Sequence, residues 1–214
     1  MATVTTEPST TLRCGPEALA AAELGGITGR ITMIGHSCGG LVSLVAASMA
    51  PELLAGVIAI DSVWRSYQQE QRKSSLRLRA GLRSYDTRED ILRAFRLVPT
   101  QGAPDYVLSH IAEHSVRHGS SGWEWKADSK VFGLYEVAPD LLRQVSARVA
   151  VFRAEYGLLS RDEALGLHIA LGGKAALAQI PAAHHHAILD EPISVVGMLR
   201  TQLACWGLLD RAVT

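Results

Sequence analysis

The chain is poor in cysteine and in aromatic residues, and has no excess of either charge. Three cysteines stand far apart in 214 residues, at Cys14, Cys38 and Cys205. An odd, scattered set argues against a disulfide framework and for a reducing compartment. Lys and Arg number 21, Asp and Glu also 21, for a formal net charge of +0. Nothing therefore advertises a nucleic-acid or anionic-membrane partner. No apolar run approaches the ~18 residues of a membrane span. Residues 1–13 are threonine-rich, lack the apolar core of a signal peptide, and are expected to be disordered. The expectation is a soluble cytoplasmic protein whose partner is a small molecule. What is present is an ordinary globular composition, 48% hydrophobic and 20% charged. The length suits one domain, or one domain with an inserted cap.

Hydrophobic periodicity and breakers give a strand-helix alternation. Pro16 to Gly25 reads as a helix, with Pro16 in its first turn and Gly25-Gly26 as its stop. Residues 30–35 read as a buried strand, 38–50 as an apolar helix, and Gly56 to Asp61 as a second buried strand ending in an acid. From Trp64 to about Leu142 charged residues recur at helical spacing, in 68–82, 87–97 and 105–117. Pro99, Pro104 and Gly119-Ser120-Ser121-Gly122 act as breaks. Alternation resumes with a strand at 148–153, a helix at 160–171, a short strand at 176–180 and a final helix at 192–208. Strands alternating with helices mean a mostly parallel sheet covered on both faces. The implied layout is a core of 14–63 and 143–214, interrupted by a helical insert at 64–142.

The most informative stretch is Ile31-Thr32-Met33-Ile34-Gly35-His36-Ser37-Cys38-Gly39-Gly40. It is a strand running into G-x-S-x-G and then into a helix, the context of a nucleophile elbow. Side chains at Gly35 and Gly39 are expected to collide across so tight a turn. The strained turn lifts the Ser37 hydroxyl to the mouth of a helix, where the Cys38 amide can face a developing oxyanion. His36 reads as a packed or hydrogen-bonded turn residue, counted with Trp123 and Trp125 among candidate substrate contacts. A serine is a weak nucleophile without a base that a third group orients. Near the end stands Ile180-Pro181-Ala182-Ala183-His184-His185-His186-Ala187-Ile188-Leu189-Asp190-Glu191-Pro192. Three consecutive histidines seldom bind one ion, because adjacent side chains diverge, and no matching cysteine or carboxylate cluster is visible; no metal is expected.

This segment and the elbow together resemble the α/β-hydrolase superfamily, whose last catalytic loop looks like I-P-x-A-x-H-x-x-x-L-x-x-P. The resemblance puts the catalytic histidine at His185 and implies Ser-His-acid chemistry without a cofactor. It implies an acid after strand 148–153, but Gly157 stands where that aspartate would fall. Two carboxylates remain open as the acid, Asp61 and Glu155. The run Ala154-Glu155-Tyr156-Gly157-Leu158-Leu159 resembles one branch of the haloalkane dehalogenases, with the acid moved to the earlier strand; that likeness favours Asp61. Ser37 in place of their aspartate nucleophile argues against dehalogenation. The insert, with Gly122-Trp123-Glu124-Trp125-Lys126, resembles the cap of a bacterial subgroup. Trp123 and Trp125 would either line an apolar pocket or anchor the cap on the core.

Measured against that superfamily, the chain reads as a truncated α/β-hydrolase fold. Only thirty-six residues precede Ser37, and they supply one helix and no clear strand. The early strands and the H-G loop that gives the second oxyanion donor are missing by this reading. Strand 30–35 would become a sheet edge, helix 38–50 would be poorly covered, and self-association through that edge is expected. The chain is then either a serine hydrolase acting on an ester, lactone, amide or C–C bond of a small apolar substrate, or a catalytically impaired fragment serving as a binding partner.

Overall fold

The structure is a computed structural model and describes residues 10–27, 29–64, 83–127 and 137–209. The helix expected at 68–82 lies outside them. The chain divides into two compact units, Met1–Ser66 with Tyr135–Thr214, and Tyr67–Leu134.

The first unit is a four-stranded sheet in the order β1 (Ile31–His36), β2 (Leu54–Ile60), β5 (Arg148–Tyr156), β6 (Ala176–His184). Every neighbouring pair in it is parallel. Parallel strands buried on both faces read as continuous apolar runs, and β2 shows why. Its residues divide between two cores, Leu54 and Val57 to one, Ile58 and Ile60 to the other. β5 divides likewise, Val149 and Val151 against Ala150, Phe152 and Ala154. The first core is closed by helices α2 (Cys38–Met49), α5 (Pro139–Arg143) and α6 (Arg161–Ala170). The second is closed by α7 (Ala187–Asp190) and α8 (Pro192–Cys205). Trp64, Leu141 and Leu142, from the stretch 64–142, pack into the first core. Ser160 starts α6 with a reciprocal capping box to Glu163, satisfying two donors that the helix itself leaves unpaired.

Helix α1 runs Thr10–Leu24, so it begins inside the stretch expected to be disordered. Pro16 lies inside it rather than in its first turn. Gly15 is buried against Val45 and Ala46 of α2, where a Cβ would meet Val45 at 3.0 Å. The expectation that α2 would be poorly covered is overturned: Leu41, Leu44, Val45, Ala46 and Ala47 are each at most 1% exposed. β1 is the sheet edge, as expected. Ile31 and Met33 lean on the first core, while Ile34 on the opposite face is 46% exposed.

The second unit was expected to be helical throughout. Its described residues hold two short helices, α3 (Arg88–Arg93) and α4 (Asp105–His114). It also holds a hairpin, β3 (Val116–Gly119) with β4 (Gly122–Trp125). Gly119-Ser120-Ser121-Gly122 is the hairpin turn instead of a helix break. Gly122 sits at φ 111, and a Cβ there would meet the Tyr85 carbonyl oxygen at 2.6 Å. The alternating Val116-Arg117-His118 and Trp123-Glu124-Trp125 favour strand over helix. Arg117 and Glu124, directly opposite each other, are paired at 2.8 Å. Among the described residues no helix is long and apolar enough to cross a membrane.

Candidate active site

Three parallel strands deliver the candidate groups to one end of the sheet. Ser37 follows β1, Asp61 follows β2 and His185 follows β6, all at carboxyl ends, where open α/β sheets present their sites. Ser37 N–H donates to the Ile60 carbonyl at 2.8 Å, and Asp61 N–H to that of Phe152 at 2.7 Å. The backbone ladder therefore continues up to the residues that matter. Ser37 has φ 53 and Asp61 φ 46; Ala182 is the one other non-glycine residue with positive φ among those described. Such conformations cost on the order of 1–3 kcal/mol each and persist only where surroundings over-determine them.

The elbow's tightness falls on different glycines from those expected. A Cβ at Gly35 would lie 2.3 Å from the backbone of Gly39, which explains Gly35. At Gly39 itself a Cβ would meet nothing within 4 Å. The second constrained position is Gly40, where a Cβ would lie 2.0 Å from the Ser62 hydroxyl and 3.0 Å from the Gly35 carbonyl oxygen. Cys38 is the first residue of α2, immediately after Ser37. None of the three cysteines is in a disulfide.

His185 is 4% exposed, and its Nδ1 lies 2.7 Å from Asp61 Oδ2. Asp61 is fully buried, at 0% exposure. Its carboxylate also accepts the backbone N–H groups of Ala154 (3.1 Å), Leu158 (2.7 Å) and Leu159 (3.2 Å). Burial is the largest influence on its pKa and pushes it up. The hydrogen bonds from His185, Leu158 and Ala154 together outweigh burial and hold the carboxyl below its ordinary value. An ionised carboxylate only accepts, so His185 carries its proton on Nδ1 and keeps the Nε2 lone pair available as a base. Gly157 completes the arrangement: a Cβ there would fall 2.3 Å from Asp61 Oδ2. The carboxylate of Asp61 thus fills the space that a side chain at 157 would need. Arg153 steadies the same turn by donating to the carbonyl oxygens of Glu155 (3.2 Å) and Leu159 (3.3 Å).

The structure does not bring Glu155 to His185. Its carboxylate accepts the Ala182 N–H at 2.8 Å, spanning the irregular step between β5 and β6. The histidines separate by role. His184 turns away, its backbone N–H and ring Nδ1 both on Asp190 Oδ2 at 2.8 and 2.9 Å. His36 reaches across from the elbow, its Nε2 2.6 Å from the His185 carbonyl oxygen. Burial first, then the neighbouring His185 and His186 rings, push the His36 pKa down to about 4, against the opposing pull of the His185 carbonyl and the Asp61 carboxylate. The elbow and the histidine segment are therefore tied directly, a link that a sequence offers no spacing to reveal.

Trp123 and Trp125 are engaged within their own unit. Trp125 packs edge-on to Tyr85 with ring centroids 6.5 Å apart, and against Phe95 at 5.9 Å. Trp123 meets His118 edge-on at 5.4 Å, and its backbone bridges Tyr85 through two 2.8 Å hydrogen bonds. These contacts give both rings a part in stitching the hairpin to the Tyr85 segment, a use not weighed in the sequence.

Comparison with known proteins agrees with this architecture. Residues 23–192 match the sequence profile of the alpha/beta hydrolase fold. No curated protein matches the chain. Among solved structures, the chain resembles an E-2-(acetamidomethylene)succinate hydrolase at TM-score 0.78 and 18% identity, covering 94% of this chain and 77% of that one. It also resembles an esterase of Mycobacterium tuberculosis (TM-score 0.71, 20% identity, 92% and 68%). An esterase of Thermogutta terrifontis is similar as well (TM-score 0.65, 19% identity, 95% and 75%). At such identities the likeness is one of fold.

Proposed function

The chain belongs to the α/β-hydrolase fold family, and on that premise we propose that it is a serine hydrolase. Ser37 attacks an acyl carbon of a small apolar substrate, with an ester, lactone, amide or C–C bond as the bond class. His185 Nε2 takes the serine proton and returns it to the leaving group, and Asp61 holds the imidazole in that tautomer and stabilises the imidazolium. The Cys38 N–H, at the start of α2, faces the oxyanion with the partial positive charge of the helix N-terminus behind it. Among bond classes, an ester is the first to test, since two of the similar structures are esterases. The observation that carries the reading is the buried Asp61 carboxylate, 2.7 Å from His185 Nδ1 and held by three backbone N–H groups. Such a carboxylate orients an imidazole at a fixed angle, which a solvated surface pair does not.

Labelling with a fluorophosphonate probe tests it. The wild-type chain should label, and Ser37→Ala should abolish labelling and ester turnover while leaving thermal melting unchanged. Equal labelling of the variant would remove Ser37 from the mechanism. A folded wild-type chain that never labels would instead favour a binding partner without catalysis.

A further inference from the structure

His184 is drawn off by Asp190, yet a three-imidazole cluster still forms, because the third ring comes from the elbow. His36, His185 and His186 each offer one ring nitrogen, and these three nitrogens all lie within 4.8 Å of one another. The ring centroids are 4.7 Å apart for His36 and His185, 4.9 Å for His185 and His186, and 5.5 Å for His36 and His186. Three histidines around one ion, with a fourth position left to water, is the ligand count of an open zinc site. Zn–N bonds of about 2.0–2.1 Å place tetrahedral ligand nitrogens roughly 3.4 Å apart, so binding an ion requires the three nitrogens to draw together.

Two of the rings already have the partner that a ligating imidazole needs for its other nitrogen. A ligating imidazole usually gives its other N–H to a carboxylate or a backbone carbonyl, which fixes its tautomer and aims its lone pair. His185 gives Nδ1–H to Asp61 Oδ2 at 2.7 Å, leaving Nε2. His36 Nε2 faces the His185 carbonyl oxygen at 2.6 Å; a carbonyl only accepts, so His36 keeps the lone pair on Nδ1. We propose that His36, His185 and His186 form a site for one divalent transition-metal ion, and that occupancy silences the hydrolase by taking the Nε2 lone pair of His185. Imidazole ligands suit Zn²⁺, Cu²⁺ and Ni²⁺ over Mg²⁺ or Ca²⁺. No bond other than nitrogen to metal is made, and a chelator reverses it. The silencing rests on the serine-hydrolase reading; the binding does not.

The experiment combines zinc calorimetry and fluorophosphonate labelling on the intact chain. One Zn²⁺ should bind per chain, and labelling should fall as Zn²⁺ saturates and return with a chelator. His186→Ala should label as the wild type does without metal, keep labelling in Zn²⁺, and bind Zn²⁺ at least about tenfold more weakly, since loss of a supporting partner alone costs about 10–100-fold. His186→Gln serves as a second variant should the alanine chain fold poorly. Zinc binding that is absent, or undiminished in both variants, overturns the site. Binding lost in the variants while saturated wild type labels freely overturns the silencing. A chain that binds zinc as described yet never labels supports the site and refutes the hydrolase reading.

Discussion

β2 and β5 lie side by side and both lead into an acidic residue, yet their carboxyl ends are built differently. At the end of β2, Asp61 has a strained φ of 46, no exposure, and four donors converging on its carboxylate. At the end of β5, Glu155 is partly exposed and its carboxylate holds a single backbone N–H, that of Ala182. The turn after β5 supplies N–H groups and an empty place, at Gly157, for the carboxylate that β2 sends over. The β5 end thus holds no carboxylate of its own at position 157, and the Asp61 carboxylate occupies that space. A buried carboxylate is tolerable only with such donors, because stripping it of water without them costs far more than the pairing returns.

Neutralising each acid in turn should separate the two strand ends most widely. Asp61→Asn offers His185 a donor where it needs an acceptor, and turnover should fall on the order of ten-thousand-fold. Glu155→Gln should keep turnover within a few fold. Steady-state kinetics on an activated ester checks both, and the reverse ranking would move the acid to β5.

Acid should weaken the β2 end and the elbow together. His36 stays neutral in the folded chain down to about 4, whereas an unfolded histidine protonates near 6.5. Its folded pKa is lowered, so its share of stability is complete above about 6.5 and is lost as pH falls toward 4, up to about 3 kcal/mol. Asp61, also lowered, acts in the same sense: its share is present above the ordinary carboxyl range and lost as pH falls through its lowered pKa. Urea melts at pH 7 and pH 4 should show this loss in the wild type and a shallower slope in His36→Gln, which removes one titrating group facing His185, His186 and Asp61.

Gly157→Ala should have a smaller effect. Its Cβ would displace the Asp61 carboxylate, and overpacking of this kind costs about 1–3 kcal/mol. The same change in an Asp61→Ala background should cost much less, because the obstructing carboxylate is gone. A double-mutant cycle by chemical denaturation measures the difference, and equal costs in both backgrounds would show that Gly157 is there for another reason.

What could be read from the chain divides along the same line. The strand-turn-helix at Ser37 and both buried strands are written locally, in runs whose period and breakers suffice, whereas His185 is singled out among three histidines only by the resemblance of its loop to the superfamily's. Between Asp61 and Glu155 only the resemblance favours Asp61, because the choice depends on which strand end reaches the histidine, a fact of register between β2, β5 and β6. Gly40 was missed in favour of Gly39 because its constraint is Ser62, twenty-two residues on. The hairpin at 116–125 is hidden in the sequence because Val116 and Arg117 read as the end of a charged run at helical spacing, and Gly119-Ser120-Ser121-Gly122 reads only as its break. The packing of α1 on α2 at Gly15 was invisible for the same reason: a glycine's use shows only in what lies opposite it.

In the proposed mechanism Asp61 alone orients His185. NMR of the His185 ring Nδ1–H, which a short hydrogen bond to a buried carboxylate shifts downfield and protects from exchange, reads this contact. This reads the geometry whether or not a substrate is known. The signal should be present in the wild type, persist in Glu155→Gln and disappear in Asp61→Asn. A downfield proton that survives Asp61→Asn, or that is lost in Glu155→Gln, would contradict that role of Asp61.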